Sequence, residues 1–260
     1  MSDQMVIVGG GFAGLAAGVA LAQAGCRVRL LEQKPHLGGR ALSFFEPTTG
    51  SVVDNGQHVF MGCYRATLRF LATIGTLDRV RFQPRLALNF LDENARLTSL
   101  ECADLPAPWH LLLGVLRSGS LRWREKFEMV RLGRVLGSGK APRADTELLS
   151  VAEWLSRLGQ SESLRRNFWD LLCIAAMNES SQVASAAILE RVLRPALFSS
   201  PEDSRLGVAR VGLSDCYTHA ARAYIEARGG QVELGQDVSR LLVTEGVCKG
   251  VEISKGETIE

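Results

Sequence analysis

Gly9, Gly11 and Gly14 form a GxGxxG pattern between the apolar run Met5–Val8 and the Ala/Leu-rich stretch Ala13–Ala24. This spacing suits the pyrophosphate of a dinucleotide. At the first position glycine permits a tight turn out of a strand. At the second it lets a phosphate approach the main chain with no Cβ in the way, and at the third it lets the helix pack close to the strand. The N–H groups and dipole at the start of the following helix favour the same negative charge. About twenty residues on stands Glu32, at the end of a second strand pattern, Arg27–Glu32. A carboxylate there accepts hydrogen bonds from ribose hydroxyls and disfavours a 2′-phosphate, which argues against NADP. The alternative is a glycine-rich turn without a ligand.

These residues need a βαβ unit to hold them, and the flanking pattern supplies one: strand, helix ended by Gly25, strand. The middle of the chain differs. Leu86–Leu91 and Arg96–Leu100 flank Asp92-Glu93-Asn94-Ala95 as a hairpin, and the stretch from Leu111 to about Leu197 is mostly helical. Within it, Ser150 with Glu153 three residues later reads as a capping box, and Gly159 closes that helix. Ser214 is expected to open a helix running to Arg228 before Gly229-Gly230. Strand patterns then return at Gln231–Leu234, Val238–Val243 and Cys248–Ile253. The fold class expected is α/β: a Rossmann-like domain, residues 1–82 and 206–260, interrupted by a mainly helical substrate or cap domain at 83–205.

Gly38-Gly39-Arg40, a few residues after Glu32, resembles the flavin-binding signature of the amine oxidase and carotenoid desaturase superfamily. Two glycines there bring the chain close to the cofactor and the arginine lies beside it, so the resemblance implies FAD rather than NAD, in a GR2-type flavoprotein. The alternative is a surface turn with a solvated arginine. Narrower segments resemble the hydroxysqualene dehydroxylases, also called squalene-associated FAD-dependent desaturases. These are Asp54-Asn55-Gly56-Gln57-His58 with Val59–Tyr64, then Phe168–Asn178, then Ala184-Ser185-Ala186 through Arg194, then Arg210–Ser214. The resemblance covers nearly the whole chain, in order. Two departures, Glu179-Ser180-Ser181 and Val208-Ala209, bear on the substrate pocket and leave the cofactor motif intact.

The resemblance implies reduction of a C30 allylic alcohol, hydroxysqualene, to squalene with loss of water, in squalene and hopanoid biosynthesis. Gly9, Gly11, Gly14, Glu32, Gly38, Gly39, Arg40, Asp54 and Gly56 are the expected cofactor-binding residues. Loss of hydroxide needs a proton donor. His58 is the first candidate for that acid or for a polar group at the flavin, a histidine satisfied by backbone groups being the alternative. Asn178 is a second catalytic candidate, with a helix C-cap as its alternative. Capping and packing account for Asp215 and Tyr217. Two other functions share every cofactor residue: a phytoene desaturase-like or amine oxidase-like enzyme, and a non-catalytic flavin-binding partner that handles lipid. In the families resembled, a further long segment follows, with a second glycine-containing flavin contact. Nothing here matches it, so the 260 residues are expected to lack a C-terminal part, supplied by a missing segment or a partner chain.

Composition sets the remaining bounds. A net charge of +2 gives no reason to expect nucleic acid as the main partner. There is no apolar stretch of transmembrane length and no secretory signal pattern. The six cysteines are scattered, without a CxxC pair or metal-ligand spacing, as expected of a cytoplasmic protein without a metal site. Between Trp109 and Arg143, Trp109, Leu111, Leu112, Leu113, Trp123 and Phe127 mix with Arg117, Arg122, Arg124, Lys126, Arg131 and Arg134. A basic, aromatic amphipathic helix of this kind suits peripheral contact with a membrane, from which an isoprenoid lipid substrate would come. An ordinary cap-domain helix is the alternative.

Overall fold

The computed structural model describes residues 4–56, 58–91, 95–138, 144–254 and 256–259. Gln57, Asp92, Glu93, Asn94, Arg143 and Lys255 lie outside these. The chain divides into two units: residues 1–60, 64–81 and 207–260 form the first, and 61–63 with 82–206 the second. Among the described residues no helix is long and apolar enough to cross a membrane.

The first unit begins with β1 (Gln4–Val8), α1 (Phe12–Gln23) and β2 (Arg27–Glu32). The hairpin β3 (Ser43–Glu46) and β4 (Ser51–Asp54) follows, then α2 (Arg65–Thr73). After the second unit come α3 (Leu213–Glu226), β5 (Gln231–Leu234), β6 (Val238–Thr244), β7 (Val247–Ile253) and β8 (Thr258–Ile259). The parallel sheet has the order β1-β2-β5, in register Val8 with Leu31 and Leu234 with Glu32. Val28, Leu30 and Leu31 of the central strand are almost wholly buried, as a parallel strand covered on both faces requires. On one face lie α1 and α3, so close that a Cβ on Gly18 would stand 2.8 Å from Ile225 Cδ1. On the other, Leu31 joins Val251, Ile253 and Ile259 of the antiparallel β6-β7-β8 sheet.

The second unit carries the hairpin Ala87–Leu91 and Leu97–Glu101 and then helices. Its core joins Leu132, Leu136, Trp154, Leu155, Trp169, Leu189 and Leu193. The capping box appears as read: Glu153 N–H donates to Ser150 Oγ at 3.2 Å, and Ser150 N–H to Glu153 Oε2 at 2.9 Å. Gly159, at φ +72°, ends the helix.

One helix start differs from expectation. The helix α3 opens at Gly212, not Ser214, and ends at Glu226. Ser214 Oγ is turned away from its own helix and accepts from Ser43 N–H at 2.8 Å, while Ser43 Oγ accepts from Ser214 N–H at 3.0 Å. The start of the helix is capped from the β3–β4 hairpin, a partner 171 residues away that local pattern cannot show.

Candidate functional site

The glycine turn joins β1 to α1, and its form follows from two contacts. Gly9 has φ +99°, a conformation that a side chain disfavours. Gly14 faces back onto that turn: a Cβ on it would fall 1.9 Å from Gly9 O. Gly11, the residue preceding α1, has an ordinary extended conformation, and no side chain caps the helix. The N–H groups of the first turn are therefore left to an external acceptor, with the helix dipole favouring an anion there.

Beside this turn runs the loop that follows β2. Gly11 and Gly38 pair as an isolated parallel bridge, and Gly38 N–H donates to Gly10 O at 2.9 Å. A Cβ on Gly39 would lie 3.2 Å from Gly11 Cα, whereas one on Gly11 meets nothing nearer than Gly39 Cα at 4.0 Å. Two bare backbones thus approach each other, and the open side of Gly11 is free for a ligand. Under the turn sits the nearly buried carboxylate of Glu32. Its Oε2 accepts from Gly10 N–H at 2.6 Å and its Oε1 from Lys34 N–H at 2.9 Å. Each carboxylate oxygen has two acceptor positions, so one on each remains for hydroxyl donors. The protein's own amides hold this carboxylate at the end of β2, where the two elements meet.

Arg40 is exposed and follows directly. Asn55 Nδ2 donates to Arg40 O at 3.1 Å, and Asn55 N–H to Leu42 O at 2.8 Å, so the segment after β4 is laced to the loop after β2. Asp54 Oδ1 accepts from Ser43 Oγ at 2.7 Å and from Leu213 N–H at 2.9 Å, serving the start of α3. Gly56 has φ +118°, and its carbonyl lies 2.9 Å from Nδ1 of the exposed His58. The structure thus brings together Gly9, Gly11, Gly14, Glu32, Gly38 and Gly39; Asn55 joins the loop that carries Arg40, Asp54 serves the start of α3, and His58 contacts Gly56. Asn178 belongs to the second unit. It is exposed, with φ +53°, and ends the Asp170–Met177 helix as a left-handed C-cap.

Two positioning roles have no local signal in the sequence: that of Gly10, and that of the hydroxyl of Tyr217, whose packing was expected. A Cβ on Gly10 would lie 2.5 Å from Leu37 Cδ2 and 3.1 Å from Glu32 Cβ, yet the motif treats that position as free. Tyr217 is fully buried and packs on Phe12 and Phe70 with ring centroids 4.7 and 6.4 Å away. Its hydroxyl lies 3.0 Å from Gly38 O and 2.5 Å from Ala41 O, and so pins the Gly38–Ala41 loop from α3. Burial raises its pKa above the ordinary phenol value, keeping the donor proton in place. The i, i+4 spacing of Leu213, Tyr217, Ala221 and Ile225 marks a buried stripe, but no local signal tells where a hydroxyl on it points. A polar recess of about 420 Å³ in the second unit, lined by Arg85, Ser99, Glu101 and Arg117 among others, includes none of the sequence-predicted site residues.

The family model for flavin-containing amine oxidoreductases matches residues 12–260. The chain belongs to that family. It is 28% identical to a hydroxysqualene dehydroxylase of Rhodopseudomonas palustris over 253 residues, covering 93% of this chain and 55% of that protein. It is 25% identical to a probable zeta-carotene desaturase of Synechococcus elongatus, covering 99% of this chain and 56% of that protein. Among solved structures, an oxidoreductase from Methanosarcina mazei shares the fold, with a TM-score of 0.71 at 16% identity over 99% of this chain and 57% of that one. The chain spans about half the length of the curated relatives it matches. The family accounts for the α/β fold with a Rossmann-like turn and points to a flavin cofactor. The turn fits one: its helix start lacks a cap, the side of Gly11 that a Cβ would fill is open, and Glu32 retains acceptor capacity.

Proposed function

We propose that this chain binds FAD and takes part in the reduction of hydroxysqualene to squalene. The observation that carries the cofactor half is the contact of Gly11 with Gly38-Gly39 above the amide-held Glu32. In this reading the first turn of α1 donates N–H groups to the pyrophosphate, and Glu32 accepts from the ribose hydroxyls. Gly38 and Gly39 keep the second loop low enough for close approach, with Arg40 beside the cofactor. Asp54 and Gly56 shape the neighbouring segment.

Bound in its reduced form, FAD supplies a hydride. The rest falls to the protein: to hold a long apolar chain, exclude water and deliver a proton to the departing hydroxyl, so that C–O cleavage releases water as hydride reaches carbon. His58 is the candidate donor on this chain, its ring anchored at Gly56 O. The substrate half is supported by the likeness to the hydroxysqualene dehydroxylase. A second reading, a desaturase that passes hydride from substrate to oxidised flavin, draws on the likeness to the probable zeta-carotene desaturase. A flavin-binding lipid-handling partner would consume no reductant.

The test is anaerobic incubation of the complete protein with reduced FAD and hydroxysqualene, read by mass spectrometry for squalene. Squalene formation is expected. Bound flavin with unchanged substrate overturns the reaction. Undiminished flavin affinity in Glu32→Gln overturns the proposed ribose contact.

A further inference from the structure

We propose that the exposed face of the Trp123–Leu136 helix seats on an anionic lipid bilayer. The fourteen-residue helix carries Arg124, Lys126, Arg131 and Arg134 against Glu125 and Glu128, and packing sorts these charges. Both acids are buried. Glu125 accepts from Arg122 N–H at 2.8 Å and Ser163 Oγ at 2.9 Å. Glu128 accepts from Ser161 N–H at 2.8 Å and Arg124 Nε at 3.2 Å. Lys126 is turned inward as well, donating to Leu116 O at 2.8 Å.

What remains outside is Trp123 at 67% exposure, Phe127 at 71% and Val135, interleaved with the exposed Arg124, Arg131 and Arg134. At 3.6 residues per turn these six positions fall within an arc of about 120°. The arc contains no acid. The exposed acid on the adjoining turn, Glu162, pairs with Arg166 at 3.2 Å.

Arg131 and Arg134, with Arg124 shared with Glu128, stand beside two large aromatic rings on one strip and match a surface that offers anions at its top and hydrocarbon just below, as a bilayer of acidic phospholipid does. Arginine draws the helix to the headgroups, and Trp and Phe bury in the interface. A nucleic acid would satisfy the cations and leave Phe127 and Val135 in water. The inference stands on this surface alone, independently of the redox reading.

The test is flotation of the protein with vesicles of phosphatidylcholine alone and of phosphatidylcholine mixed with phosphatidylglycerol. Binding to the mixed vesicles only is expected, weakening as salt rises. Replacing Arg124, Arg131 and Arg134 together by glutamine should lower partitioning by about 100-fold. The corresponding lysine variant should retain most of it, and its melting temperature and that of the glutamine variant check the fold. Equal binding to both vesicles, binding to neither, or a glutamine variant that partitions like the parent each overturns the proposal. So does a self-association that is lost in Trp123→Ser with Phe127→Ser and is accompanied by no vesicle binding.

Discussion

Replacing Gly14 with alanine places a methyl carbon 1.9 Å from Gly9 O and 3.1 Å from Gly9 C. A nonbonded carbon–oxygen contact needs about 3.3 Å. Both neighbours are main-chain atoms, so no rotamer change relieves the clash, and the start of α1 must move away from the end of β1 by more than an ångström. Overpacking costs about 1–3 kcal/mol where side chains can shift. With backbone on both sides the upper figure applies, about 3 kcal/mol, or a fall in Tm of about 6–12 °C for a chain of this size. Gly11→Ala is the matched control. Its Cβ meets nothing closer than Gly39 Cα at 4.0 Å, and its φ of −74° suits alanine, so the cost is about 0.5–1 kcal/mol of helix capping. That methyl group would instead fill the space given to the pyrophosphate. Thermal unfolding followed by circular dichroism, paired with a flavin fluorescence titration, separates the two effects. Gly14→Ala should be the less stable, and Gly11→Ala the stable variant with lost flavin affinity. A Gly14→Ala protein that melts as high as Gly11→Ala refutes the packing argument. A Gly11→Ala protein that binds flavin like the parent refutes the phosphate placement.

Ser150→Ala should cost about 1 kcal/mol, and Ser150→Asp should restore most of it in the same melt. Hydrogen bonds from Ser150 hold the Glu153 carboxyl below its ordinary pKa, so this cap stabilises above the carboxylate range and weakens as pH falls through it; melts of Ser150→Ala should show less of that acid loss. Burial, with Glu101 adding, pushes the Cys102 thiol up to about 11, whereas Cys248 is exposed. Alkylation at mildly basic pH followed by peptide mass spectrometry should therefore label Cys248 well before Cys102. Tyr217 has a pKa raised by burial, so its contribution to stability is complete below the unfolded phenol value near pH ~10 and is lost as pH rises beyond it. Tyr217→Phe should flatten that alkaline loss in thermal melts and cost about 1 kcal/mol below it.

Elements set by neighbours in sequence were legible from sequence. The strand Arg27–Glu32, the Ser150–Glu153 cap and the Ala87–Glu101 hairpin each rest on a period, a capping pair or a turn spanning a few residues. The core of the candidate site was legible for the same reason, since Gly9 to Gly14 is a single turn and Glu32 ends the next strand. Tertiary structure decided what depends on partners far along the chain. It set the start of α3, where Asp54 and Ser43 receive the first N–H groups. It aimed the Tyr217 hydroxyl at Gly38, 179 residues away, and it drew Glu125 and Glu128 inward while leaving three arginines in solvent. The sequence of a helix states which charges it carries; only the elements packed against it decide which of them reach solvent, because burying a carboxylate requires donors that other segments supply.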